Sequence, residues 1–96
     1  MPVNHGSLSV AAYHLRVSRD GALRWNGAAV DAQTLRRYLR QFAGLPRAAG
    51  LLAIEFEPST PKNRADWVRH EVVDSGLCAQ ARCVEETWGI KTRVVS

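Results

Sequence analysis

Residues 11 to 18 alternate strictly. Ala11, Tyr13, Leu15 and Val17 fall on one side, and Ala12, His14, Arg16 and Ser18 on the other. A period of two predicts a half-buried strand. Asp20-Gly21 follows, and its glycine supplies the positive φ that a tight hairpin turn needs. Ala22 to Trp25 reads as the return strand. Asn26-Gly27 is a second turn of the same chemistry, and Ala28 to Val30 a short third strand or bridge.

The period then changes. Leu35, Tyr38, Leu39 and Phe42 recur at i, i+3, i+4 and i+7, the apolar stripe of a helix. Asp31 ahead of them is a good N-cap. Gly44 is placed for the C-terminal cap, and Pro46 prevents continuation. Leu51 to Phe56 (LLAIEF) is a nearly continuous apolar run between Gly50 and Pro58, the pattern of a central buried strand. Thr60-Pro61 reads as N-cap and first residue of a second helix. That helix is expected over Lys62 to Ser75, with Gly76 at its C-cap and Ala65, Val68, Val72 and Val73 facing inward. Ala79 to Val84 is expected as a final strand. Beyond Glu85, Trp88, Ile90 and Val94 suit a further edge strand or a tail.

The pattern therefore predicts an α+β fold in the order β-β-(β)-α-β-α-β. A small mixed sheet of four to five strands would carry two helices on one face, since two crossovers each hold a helix. Residues 1–8 read as a flexible lead-in, and 9–96 as a single domain.

Composition narrows the function. Ninety-six residues suit one domain with one small core. A content of 46% hydrophobic and 23% charged residues argues against disorder. No apolar run approaches the roughly 20 residues of a spanning helix. The first residues have neither a cationic flank nor an apolar core, so no signal peptide is expected there. The net charge of +4 permits an anionic partner but requires none.

Candidate chemistry is sparse. There is no Gly-x-Ser-x-Gly elbow, Gly-rich phosphate loop or HExxH. His5, His14 and His70 belong to no nucleophilic constellation, so no enzyme, catalytic residue or cofactor is expected. Zinc on His70, Cys78 and Cys83 would have three ligands at an untypical spacing, and no metal site is expected there. If Cys78 to Cys83 were extended, their Cα atoms would stand about 16 Å apart, against the roughly 7 Å limit of a disulfide. A bridge is not expected unless residues 79–82 turn.

Arg36, Arg37 and Arg40 share the outer face of the first helix. They could meet phosphates or carboxylates, although a solvated face explains them as well. Trp67 falls nearly opposite Ala65, Val68 and Val72, where it would mark a contact site or fold over a neighbouring loop. Nucleic acid is an unlikely partner: stacking aromatics on a sheet and a recognition helix are both absent.

The chain resembles the periplasmic domain of the ExbD/TolR family of biopolymer-transport proteins. The matching residues are Asp20-Gly21 with Leu23, Asn26-Gly27 with Val30, Leu35 and Leu39, the strand LLAIEF, and Ala65, Val68, Val72 and Gly76. They cover residues 10–85. Where the family strand often ends in an Ala-Asp-type pair, this one ends Glu55-Phe56-Glu57. The resemblance implies a periplasmic, non-enzymatic coupling module, normally anchored to the inner membrane by an N-terminal helix carrying an acidic residue. It implies a homodimer, an ExbB/TolQ-type membrane partner, and a TonB/TolA-type transducer or peptidoglycan as its contact. The alternative is a small basic nucleic-acid-binding or regulatory domain of the cytoplasm.

Association is expected through a strand edge. The candidate edge is the last strand, with Ala79, Gln80, Ala81 and Arg82 as contact residues. Arg36, Arg37, Arg40 and Trp67 form the second candidate surface. Asp20, Gly21, Asn26 and Gly27 are expected to act as structural turns.

Overall fold

The computed structural model describes residues 11–88. The readings on residues 1–10, Ile90 and Val94 lie outside that range. In chain order the elements are β1 (Ala11–Val17), β2 (Leu23–Trp25), β3 (Ala28–Val30), α1 (Ala32–Ala43), a 3-10 turn (Arg47–Ala49), β4 (Leu51–Phe56), α2 (Lys62–Asp74) and β5 (Cys83–Thr87). The fold is α+β. Its five-stranded mixed sheet runs β3-β2-β1-β4-β5. β1 to β3 pair antiparallel, whereas β1–β4 and β4–β5 are parallel. Each parallel step is bridged by a crossover containing a helix, as parallel pairing requires.

Both tight turns form where the sequence places them. Gly21 has φ +89°, and its N–H donates to the Ser18 carbonyl at 2.8 Å. Asn26 and Gly27 have φ of 51° and 90°, the double left-handed pattern of a two-residue hairpin turn. Asn26 does more than turn the chain. Its Oδ1 accepts from the His14 N–H at 2.8 Å, and its own N–H donates to the His14 carbonyl at 2.8 Å. The turn thereby clamps the middle of β1.

Asp31 caps α1 by accepting from the Thr34 N–H at 2.7 Å, and this hydrogen bond holds its carboxyl below the usual range. Leu35, Leu39 and Phe42 from α1 meet Val68 and Val72 from α2 in one core. The sheet supplies Leu15, Val17, Leu23, Trp25, Leu52 and Ile54 to the same core, so both helices cover one face. The Arg64 guanidinium of α2 donates to the Gly21 carbonyl at 2.9 and 3.0 Å and ties the first hairpin to the helix.

Four expectations need correction. Pro61 is the residue before α2, not its first residue, because the Thr60 hydroxyl donates back to the Glu57 carbonyl instead of capping the helix. Val73 is 57% exposed and does not face inward. The last strand begins at Cys83, four residues later than predicted, because residues 77–81 form turns and Ala81 takes φ +60°. That same turning brings the Cys78 and Cys83 Cα atoms to 4.9 Å, and the two residues are bridged. The extended geometry that argued against a disulfide is absent.

Candidate functional site

The shift of the last strand relocates the expected interaction edge. Ala79, Gln80 and Ala81 lie in the turn before β5. Arg82 is 1% exposed, so it is not an edge residue at all. Its Nε donates to the Gly50 carbonyl and its Nη1 to the Leu45 carbonyl, both at 3.0 Å, and Nη1 also reaches Gln80 Oε1 at 2.8 Å. The guanidinium lies over the Phe42 ring, 4.6 Å from its centroid. Gln80 donates in turn to the Ala43 carbonyl. These residues lock the C-terminal end of α1 to the start of β5.

The outer strand itself is Cys83–Thr87. Among the described residues it pairs only with β4. The Leu52 N–H donates to the Arg82 carbonyl at 2.9 Å. Along a parallel ladder such bonds alternate, which turns the Cys83 and Glu85 N–H groups away from β4. A cleft of about 260 Å³ runs beside this strand, lined by Val72, Val73, Cys78, Cys83, Val84 and Arg69 among others. Val73 and Val84 are both exposed. Arg69 closes one side of the cleft: its Nε donates to Glu85 Oε2 at 2.7 Å, and the carboxylate raises the pKa of the guanidinium.

The second candidate surface is brought together only in part. Arg36 donates to Glu71 at 3.0 and 3.3 Å, joining α1 to α2, and this pairing raises its pKa. Trp67 is half-buried against the core, with the Arg64 and Arg36 guanidinium groups 4.8 and 5.6 Å from its ring centroid. It therefore packs over the helix pair. Arg37 lies over Tyr38, and Arg40 remains exposed. Arg16, Arg19, Arg36 and Arg69 lie at the surface of the fold, and each pairs with a carboxylate.

A polar cluster on the helix-free face of the sheet went unread in the sequence. Glu55, in the middle of the run LLAIEF, is 2% exposed. Register sets it opposite Arg16 on β1 and Glu86 on β5. Its Oε1 stands 3.2 Å from Arg16 Nε and its Oε2 3.9 Å from His14 Nδ1. Trp88 lies on the Arg16 guanidinium, 4.0 Å from ring centroid to Cζ. One charge in an apolar run was the available signal. The partners depend on cross-strand register, which a single sequence does not display.

No family model, curated protein or solved structure matches the chain. Among the described residues no helix is long and apolar enough to cross a membrane.

Proposed function

We propose that this chain is a non-catalytic coupling domain of the ExbD/TolR kind, working in the periplasm beside an ExbB/TolQ-type membrane partner. Its contact element is the outer edge of β5, which is unpaired among the described residues and adds a strand from a second copy or from an extended TonB/TolA-type transducer segment. The observation that carries this reading is the five-residue outer strand with outward N–H groups beside a cleft and two exposed valines. Strand addition uses such a pairing: main-chain hydrogen bonds give affinity, and flanking apolar contacts give selectivity. The opposite edge, β3, is only three residues long and offers Ala28 and Ala29.

Two further features support the reading. The two glycine turns on which the resemblance partly rests both form, with positive φ at Gly21 and Gly27. The Cys78–Cys83 bridge suits an oxidising compartment.

The test is a proline at position 85. Glu85→Pro removes an outward N–H and spares the ladder to β4, a placement that an edge strand tolerates; it also removes the Arg69–Glu85 pair, so Glu85→Ala, which removes the pair alone, is the control and should still associate. Sedimentation equilibrium should show wild-type self-association and its loss in the proline variant, with unchanged circular dichroism. Equal association in both would remove β5 as the contact element. Protease treatment of spheroplasts carrying the natural gene checks location. Protection of the domain from external protease would contradict a periplasmic site.

A further inference from the structure

We propose that His14, Glu55 and Glu86 form a binding site for a first-row divalent cation, with Zn²⁺ the best-suited ion. The three side chains come from β1, β4 and β5, and each offers one ligand atom within 4.8 Å of the others. They project from the sheet face that the helices leave open. This site is separate from the β5 edge bonds and does not depend on the coupling role.

The cluster is more than adjacent acidic groups. It combines an imidazole nitrogen with two carboxylates, a donor set that zinc accepts and that the hard cations Mg²⁺ and Ca²⁺ do not favour. Its members are held by different parts of the fold. His14 is fixed through its backbone by the two hydrogen bonds to Asn26. Glu55 is fixed by burial in β4, between β1 and β5. Its two oxygens divide their roles: Oε1 faces Arg16 at 3.2 Å, and Oε2 faces His14 at 3.9 Å. Such a second contact orients a ligating carboxylate. The Trp88 ring over the Arg16 guanidinium gives that cation a contact of its own beside the cluster.

The spacing sets how far the cluster must close around an ion. Ligand atoms on a tetrahedral zinc, each about 2.0–2.2 Å from the metal, stand roughly 3.4 Å apart. The ligand atoms here lie within 4.8 Å of one another, with His14 Nδ1 and Glu55 Oε2 at 3.9 Å, so binding requires the side chains to draw together around the ion. Three protein ligands leave a fourth position for water.

The experiment is calorimetric titration of the chelator-stripped 96-residue protein with ZnCl₂, paired with X-ray absorption of the zinc-loaded sample. One ion per chain is expected, with nitrogen and oxygen neighbours, an imidazole signature and no sulfur. Glu86→Gln and His14→Gln should each weaken binding at least about tenfold. His70→Gln, which alters the exposed His70–Asp74 pair, should leave it unchanged. Circular dichroism confirms that each variant folds, and Glu86→Gln decides the matter if His14→Gln does not. Absence of zinc binding by the wild type would overturn the site, as would binding that survives Glu86→Gln or is lost in His70→Gln.

Discussion

Replacing Arg82 with methionine should destabilise the domain by about 2–4 kcal/mol. Methionine keeps much of the apolar stem volume, so the loss is mainly polar. Arg82 donates to the Gly50 and Leu45 carbonyls at 3.0 Å and to Gln80 at 2.8 Å. A hydrogen bond from a charged donor contributes about 1.5–3 kcal/mol net, and a stranded carbonyl costs about 1–3 kcal/mol. The desolvation of the guanidinium works the other way. Its Nη2 is buried without a hydrogen-bond partner among the described residues, which reduces the net gain. Three bonds and the contact with Phe42, set against that penalty, leave a few kcal/mol. This is a large share of the roughly 5–15 kcal/mol typical of a domain. Urea unfolding under non-reducing conditions measures it, with thermal midpoints as a second probe. Arg82→Lys should fall between the two, since a single ammonium cannot reproduce the planar fork. A methionine variant within about 1 kcal/mol of wild type, at unchanged m-value, would refute the clamp.

The non-reduced protein should weigh two hydrogens less than the dithiol, and reducing Cys78–Cys83 should cost about 2 kcal/mol, from the short loop it closes. An unchanged mass would remove the bridge. Gly21→Val and Gly27→Val should each lower stability by about 1 kcal/mol or more, because both glycines have positive φ. The cost is backbone strain at both sites, since a Cβ at Gly21 makes only an ordinary 3.5 Å contact with Arg64 Nε and one at Gly27 meets nothing within 4 Å; equal melting points to wild type would refute the turn assignment. Asp31, Glu57 and Asp66 have carboxyls held below the ordinary range by hydrogen bonds to Thr34, Arg19 and Lys62 respectively. Their folded pKa values are depressed, so their contribution is complete above the ordinary carboxylate pKa of about 4 and is lost as pH falls through the folded values. Stability should therefore decline in acid, and Asp31→Asn should flatten that decline; a variant with the same acid limb would count against the cap.

The fold was legible because its local signals agree. Strict alternation, two glycine turns, a capped 3.6-residue stripe and a buried run each named one element, and none conflicted with its neighbours. The end of the chain was harder. Ala79 to Val84 has short and apolar residues that suit a strand, yet Ala81 adopts a left-handed backbone, and a disulfide with a buried arginine holds the turn. Those are tertiary constraints, invisible to periodicity. Arg82 shows the same limit, since a basic residue beside a strand reads as exposed until its carbonyl partners are known. The cluster at Glu55 required register between three strands, two of them parallel partners reached through helices. Trp67 was read as nearly opposite the core residues, yet it packs half-buried against the core, with two arginines over its ring.

Amide hydrogen exchange across a range of protein concentrations tests the strand-edge contact most directly. In the dilute protein the Glu85 amide, which points away from β4, should exchange at close to the rate of an open chain. On association it should become protected, together with Cys83, while the Val84 and Glu86 amides within the ladder are protected throughout. A Glu85 amide that stays fast while the protein associates, or a protein that never associates, would contradict coupling through β5.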